Sequence, residues 1–415
     1  MISVPEVCRA CRSASLMPFF DLGPQPLANS LVSSPYEASE YYDLGLSFCK
    51  ECTLVQLTAD VDASEMFSHY LWKTGTSVGA LKHAEAISKK LIELLDEKGS
   101  ADTVFEVASN DGTFLSFFAR EGFHVLGMDP AENLAELAQK KGITTICDYF
   151  CSAVAKELSV SHGQAEIVLC RNVLAHVPNI QDFVQGLKLM LGDHGILMIE
   201  VHHAGAILSE LQYDSIYHEH ASYISLYALK PVLEKYDLEV FDAEIGLISG
   251  GCMTLFVKHR GDTKYKIQNR VAQLVDSEAS QGLDNLVKWR EFSARVIEHK
   301  KSLNKMLGSL VGQGYKICGF GASARSSTLL NFCGIGSSDV QVIADNNDLK
   351  QGLYTAGSRI KIVSPSQMYR CNPDYILILA WNFKQEIIDA ISADGFEGGV
   401  IIPLPDAPEL SIQRL

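Results

Sequence analysis

Four cysteines in two CxxC pairs, Cys8-Arg-Ala-Cys11 and Cys49-Lys-Glu-Cys52, have the spacing that speaks most directly of chemistry. Each CxxC turn can bring two thiolates to about 2.3 Å from one tetrahedral Zn²⁺, and two such turns complete a closed Cys₄ site with no position left for water. Cys8, Cys11, Cys49 and Cys52 are therefore expected to hold a structural zinc, not a catalytic one. The 37 residues between the pairs exceed the common ribbon spacing, but a long hairpin or loop can close such a site. The competing readings are a redox dithiol, which needs only one CxxC on a thioredoxin-like unit, and four free thiols.

A second group, Tyr217-His218-Glu219-His220, offers a phenol donor, a carboxylate and a base of near-neutral pKa within four residues. Its bland alternative is an ordinary polar loop. A third set lies where short apolar runs end. The run VFEVASNDG (residues 104–112) reads as a strand closing in a small polar turn, followed by a helix in TFLSFFAREG. In an open α/β sheet that turn sits at the carboxyl edge of the first strand, where ligands bind, so Glu106, Ala108, Asn110 and Gly112 are cofactor-site candidates.

About twenty residues on, VLGMD places Asp129, with Pro130 beside it, at the end of a second strand, where a carboxylate can accept hydrogen bonds from both ribose hydroxyls of an adenosine. Asp148 in ICDYF is spaced to reach the adenine amino group. Singly, each acid reads as a solvated loop residue, and the ordered set is the stronger signal. The turn lacks the third glycine of G-x-G-x-x-G, which fits a zwitterionic amino acid tail better than a pyrophosphate and favours S-adenosylmethionine over NAD.

These groups need elements to position them. A chain of 415 residues implies two or three domains. Residues 1–68 are short on helical periodicity and rich in Pro, Gly, Ser and aromatics, a segment expected to need a metal to hold together. From about 100 to 260, apolar runs (TVFEVAS, HVLGMD, AEIVLCRNV, GILMIEV, CMTLFVKH) alternate with helical stretches, which predicts a mostly parallel sheet covered on both faces. The expected organisation is a zinc-binding module over 1–68, a cofactor domain over 69–262, a polar helical linker over 263–310, and a smaller α/β unit over 311–415 with strands in YKICGFG, VQVIADN, YILILAW and GGVIIP. The fold class is thus α/β, a Rossmann-like sheet flanked by a zinc module and a second Rossmann-like unit.

A formal net charge of −15 repels a phosphate backbone and argues against a nucleic-acid partner. No run of about 18 apolar residues predicts a membrane span, and MISVPEVCRACRSAS lacks the basic and apolar regions of a signal peptide. A cytoplasmic location is the default, and scattered thiols among the 11 cysteines suit a reducing compartment. Oligomeric state is not legible from the sequence, a monomer included.

At EVASNDGTFL, CRNVLAHVPNIQDF, IYHEHASYIS and GFGASARSSTLLNF the chain resembles the sugar C-methyltransferase family over nearly its whole length. The resemblance implies a class I methyltransferase sheet that uses S-adenosylmethionine to methylate a carbon of a TDP-linked 4-keto deoxysugar. It assigns the base to His220, with Tyr217 and Glu219 as helpers, and a substrate contact to Tyr70. Asn172 and His176 match the family turn after the fourth strand; Asn172 would orient the sulfonium or the substrate, while His176 reads equally as a structural hydrogen-bonder. Where the family carries an aromatic- and serine-rich run after Tyr70, this chain reads Leu-Trp-Lys-Thr-Gly-Thr-Ser, and Lys73, Thr74, Thr76 and Ser77 could hold a phosphate or a different sugar.

In the C-terminal unit, backbone amides at the helix start near Ser323, together with Arg325, could take a diphosphate, with Lys350 as a second phosphate partner. The resemblance implies that this unit contributes to the nucleotide-sugar site without binding a dinucleotide of its own. Trp381 or Asn382 could reach the cleft. A second metal site from His202, His203, His218 and His220 is disfavoured, because sulfonium chemistry needs no Lewis acid. Two other functions compete with sugar C-methylation: an O- or N-methyltransferase of another small metabolite, and a zinc-ribbon nucleic-acid adaptor without catalysis, against which the acidic balance argues.

Overall fold

A computed structural model of the chain describes residues 2–68, 70, 73–76, 78–95, 102–246, 250–405 and 407–412. Near the N-terminus, β1 (Leu16–Gln25), β2 (Tyr42–Cys49) and β3 (Val55–Leu57) form an antiparallel sheet that the two-residue strand Ser222–Tyr223 extends from far along the chain. Helix α1 (Val78–Leu95) then leads into the central sheet.

The central sheet has seven strands: β4 (Thr103–Val107), β5 (His124–Met128), β6 (Thr145–Ile146), β7 (Ala165–Arg171), β8 (Leu191–His202), β9 (Leu238–Gly246) and β10 (Cys252–His259). Their order is β9-β10-β8-β7-β4-β5-β6. Strands β4 to β8 pair in parallel, and β10 runs antiparallel to both its neighbours. Adjacent residues point to opposite faces, and both faces are covered, so most of the strands read as largely apolar runs. Val104, Ile167 and Ile196 pack with α1 and with α2 (Thr113–Arg120), while Phe105, Val168 and Leu197 pack on the other side in a core that also takes in Cys8 and Cys49. α3 (Glu132–Lys140) follows β5.

The polar stretch read as a linker folds as α4 (Asn269–Gln281) and the 27-residue α5 (Leu286–Gly312). One face of α5 carries Trp289, Phe292, Val296, Leu303 and Leu307, at the three- and four-residue spacing of a helix stripe. Beyond it lies a six-stranded sheet of β11 (Ile317–Phe320), β12 (Val342–Ala344), β13 (Lys361–Val363), β14 (Tyr375–Ile378), β15 (Gly399–Ile402) and β16 (Glu409–Ile412), ordered β13-β12-β11-β14-β15-β16 and parallel except for β16. Helix α6 (Ala324–Cys333) follows β11.

The stripe on α5 enters one continuous core with Leu44, Leu46 and Phe48 of β2 and with Ile317, Leu377 and Val400 of the C-terminal sheet. The N-terminal segment, expected from its composition to depend on a metal, therefore also buries apolar side chains against α5. Among the described residues, the sequence reading places no strand in the N-terminal sheet and misses four in the other two sheets. β9 mixes Glu and Asp into its run, and β6, β13 and β16 are two to four residues long.

Trp289 is 1% exposed, donates its indole N–H to Leu283 O at 3.1 Å and meets the rings of Phe19 and Phe292. Trp289→Ala is expected to cost about 3–5 kcal/mol. Because the core is shared, urea unfolding followed by far-UV dichroism and by a fluorophore on the N-terminal sheet should shift together.

Candidate active site

A cavity of about 1020 Å³ opens at the carboxyl ends of β4, β5, β7 and β8. Its first wall is the turn after β4. Ala108, Asn110 and Gly112 all have left-handed backbones, with φ of 53°, 54° and 72°. A Cβ on Gly112 would stand 3.1 Å from Ala138 Cβ and 3.1 Å from Ile143 Cγ1, so both the positive φ and the close approach require glycine here. Asn110 is pinned on both sides: its N–H donates to Asp129 Oδ2 at 2.8 Å, and its Oδ1 accepts from Thr74 N at 3.0 Å. Asp129 Oδ1 accepts from Ala131 N at 2.9 Å, and burial raises this carboxyl above the usual aspartate range. Each of its oxygens retains lone-pair capacity for a hydroxyl.

Pro130 and Asp148 lie on the cavity rim with Asp129, and Asp148 is exposed. Glu106 is not on the lining. It is buried under the turn, where Oε1 accepts from Arg171 Nε (2.9 Å) and Nη2 (2.6 Å), while Oε2 finds no partner among the described residues. Burial drives its carboxyl upward despite the guanidinium. The left-handed turn, with Glu106 buried beneath it, and the Asp129 carboxylate form a cradle that fits the amino acid tail and the ribose hydroxyls of S-adenosylmethionine.

At the end of β7, Asn172 (φ 51°) donates its N–H to Glu200 O at 2.7 Å and its Nδ2 to Glu200 Oε1 at 3.4 Å. His83 of α1 bonds Glu200 Oε2 through Nε2, a pair on the cavity wall that the sequence reading missed. Its only signal was a carboxylate closing the otherwise apolar run GILMIEV.

The Tyr-His-Glu-His stretch divides among three environments. Tyr217 and His220 face the cavity. His220 Nδ1 bonds Ser215 O at 2.8 Å; because a carbonyl only accepts, Nδ1 carries the proton and the Nε2 lone pair receives the Tyr217 hydroxyl, also at 2.8 Å. Burial, reinforced by His176 and His202, holds the His220 pKa well below the ordinary value, so the ring is neutral near pH 7. Glu219 lies off the lining, with Oε2 accepting from Tyr70 Oη at 3.1 Å and Oε1 from Asn29 Nδ2 at 2.5 Å. With no cation beside it, burial pushes its carboxyl up to about 7. His218 turns away and donates Nε2–H to Tyr42 O on the N-terminal sheet.

His176 donates Nδ1–H to Glu219 O at 2.5 Å, and its ring lies 5.1 Å from that of His220. Tyr70 lines the cavity, its backbone held by Asn133 of α3. Lys73 and Thr74 also line it, whereas Leu71, Trp72 and Ser77 fall outside the described residues. His202, pushed down to about 3 by burial, bonds Gln212 Oε1 at 2.9 Å.

The C-terminal unit supplies the opposite wall through Ser323, Arg325, Lys350 and Asn382. Ser323 caps α6 by accepting from Ser326 N. Arg325 does not present an open guanidinium for a diphosphate: Nε and Nη2 grip both oxygens of Asp214 at 2.9 and 2.8 Å. Lys350 likewise donates to Ala322 O at 2.7 Å and lies 3.7 Å from Asp345. Trp381 is buried against Arg325, so Asn382 is the cavity residue of that pair.

Away from the cavity, the Sγ atoms of Cys8, Cys11, Cys49 and Cys52 all lie within 4.8 Å of one another, Cys8 and Cys52 3.4 Å apart and Cys11 and Cys49 3.5 Å apart. Four sulfurs at about 2.3 Å around a tetrahedral zinc stand about 3.8 Å apart, so the set fits that ion. The two knuckles are built alike. Arg12 and Thr53, each directly after a second cysteine, adopt φ of 67° and 65° and return their N–H to Cys8 O and Cys49 O. Among the described residues no other cluster of this kind occurs, and the four histidines named above do not form one. Nor is any described helix long and apolar enough to cross a membrane.

Comparison with known proteins matches three family models in order: a zinc binding domain over residues 8–67, a methyltransferase domain over 80–243, and a C-methyltransferase C-terminal domain over 247–405. The C-methyltransferase NovU of Streptomyces niveus is 32% identical over 414 residues, spanning 98% of this chain and 97% of that protein. A ubiquinone biosynthesis O-methyltransferase of Rickettsia prowazekii (strain Madrid E) is 26% identical over 151 residues, 34% of this chain and 57% of its own length. The magnesium protoporphyrin IX methyltransferase of Synechocystis PCC 6803 overlaps 44% of this chain and 81% of its own at 14% identity with a TM-score of 0.34, too loose a superposition to bear on chemistry.

Zinc analysis should find one equivalent per chain, and Cys49→Ser should lose it together with several degrees of thermal stability. Glu219 yields a pH effect of defined sign. Its folded pKa of about 7 exceeds the ordinary 4.5, so the folded state binds more protons and loses stability as pH rises from about 4.5 to about 7. In ligand-free protein Glu219→Gln should flatten the fall of Tm over that window, and an unchanged slope would place the effect elsewhere.

Proposed function

The chain belongs to the C-methyltransferase family, and from that premise we propose that this S-adenosylmethionine-dependent enzyme methylates a carbon beside the ketone of a nucleotide-linked deoxysugar, TDP being the carrier that the family resemblance implies. The observation that carries the reading is that a neutral His220, its lone pair aimed through Tyr217, opens on the same cavity as the turn after β4. Bound S-adenosylmethionine would supply an electrophilic methyl on a sulfonium.

The protein's part is to make the carbon nucleophilic. A proton α to a ketone is weakly acidic, and its removal requires a base that is unprotonated at working pH. His220 meets that requirement because burial keeps its ring neutral. The substrate C–H bond breaks as its proton passes to the Tyr217 oxygen and the phenol's own proton passes to His220 Nε2, leaving an enolate beside an imidazolium. Formed side by side on buried groups, the two opposite charges stabilise one another, which offsets the cost that burial sets on the imidazolium. Glu219 holds Tyr70 and Asn29 in place around the acceptor.

In this reading residues 1–68 carry the zinc and one wall, 69–262 the cofactor and the base, 263–310 the helices that join the units, and 311–415 the nucleotide-sugar wall.

With a panel of TDP-, GDP- and UDP-linked keto-sugars and methyl-labelled S-adenosylmethionine, label is expected on carbon. The substrate's α-proton should exchange with D₂O in the presence of the enzyme. His220→Ala should lower both rates by about 10²–10⁴ and Tyr217→Phe by less. Label on oxygen, or exchange undiminished in His220→Ala, would sink the proposal.

A further inference from the structure

The nitrogen that His220 offers to the cavity is set by Ser215 O, and Ser215 is bracketed by bonds from the C-terminal unit. On one side Asp214, buried, receives Arg325 Nε on Oδ2 (2.9 Å) and Arg325 Nη2 on Oδ1 (2.8 Å), with Trp381 Nε1 also on Oδ2 at 2.7 Å. The Arg325 guanidinium lies 4.8 Å from the Trp381 ring centre, and its Nη2 also reaches Gln212 Oε1. On the other side Ile216 O accepts from Thr328 Oγ1 at 2.8 Å. Arg325 and Thr328 are three residues apart on α6, which places them on one face of that helix. A bidentate guanidinium–carboxylate pair fixes orientation as well as distance, so the segment 214–216 has little freedom to rotate its carbonyls.

We propose that Asp214 and Arg325 are positioning residues that fix the tautomer and direction of the His220 ring, so that the C-terminal unit sets the geometry of proton abstraction in addition to forming a wall of the cavity. The role rests on the reading of His220 as base, but the tautomer itself can be observed without turnover. If the 214–216 segment rotates, His220 Nδ1 loses its acceptor, the proton is free to sit on Nε2, and the lone pair no longer meets Tyr217. Indirect supports of a functional histidine commonly contribute factors of about 10 to 100.

The test uses the full chain labelled with ¹⁵N-histidine, His220→Gln serving to assign the signal. Long-range ¹H–¹⁵N spectra should show His220 with Nδ1 protonated and Nε2 bare. Because removing one member of a buried pair can prevent folding, the informative variants are Arg325→Lys, which keeps charge but loses the two-pronged grip, and Thr328→Val. Arg325→Lys should show the second tautomer and a kcat about 10- to 100-fold lower, with KM for S-adenosylmethionine within about twofold of the native value. Thr328→Val should move both readouts in the same direction by less. Native His220 with its proton on Nε2 overturns the proposal. So do native signals and native kcat in both variants. The expected spectra in a protein that methylates none of the keto-sugars would instead remove the substrate assignment and leave the positioning role standing.

Discussion

One backbone carbonyl, that of Ser215, decides which nitrogen of His220 carries a proton, and much of the molecule serves to keep it there. A neutral imidazole has one donor and one acceptor nitrogen, and a carbonyl can satisfy only the donor. Committing Nδ1 to Ser215 therefore delivers the Nε2 lone pair to Tyr217 and the cavity. The arrangement works only while the ring is neutral, and burial by all three units is what keeps it so. The N-terminal sheet takes His218 through Tyr42 O, the central sheet brings His176 and His202 alongside, and the C-terminal unit grips Asp214 and Ile216.

How far the sequence discloses this depends on how local each signal is. The two CxxC pairs and the strand-end acids are short-range patterns, so the cysteine cluster and the parallel sheets are legible. The N-terminal sheet is less so, since its apolar side chains find their partners on α5, hundreds of residues later. Strand β9 hides because Asp242 and Glu244 interrupt its run; both carboxylates are taken up by Arg270 from α4, a partner no local pattern indicates. In the site, four consecutive polar residues read as one group, yet turns in the chain send Tyr217 and His220 into the cavity, Glu219 behind it and His218 away. His83 and Glu200 were invisible for the same reason: 117 residues separate two halves of a pair that only the fold brings together.

Charge in the cavity follows a consistent pattern. Arg171 is committed to Glu106, Arg325 to Asp214, and Lys350 to Ala322 O. Arg325 and Lys350 look from sequence like phosphate anchors, and in the fold they tie the cavity's own walls together. Positive charge is thus used to stiffen the frame around a neutral base, consistent with the need to hold reacting groups at short range and in a fixed direction.

The core shared by β2 and α5 has a consequence for how the molecule is made. Leu44, Leu46 and Phe48 leave the ribosome long before Trp289 and Phe292, the residues that will cover them. For that interval the young N-terminal sheet has an uncovered apolar side, and the four thiolates give it a local means of closure, since both cysteine pairs emerge early. A metal that is only one contributor to the finished protein is, on the nascent chain, the clasp that keeps an unfinished sheet from pairing with its neighbours.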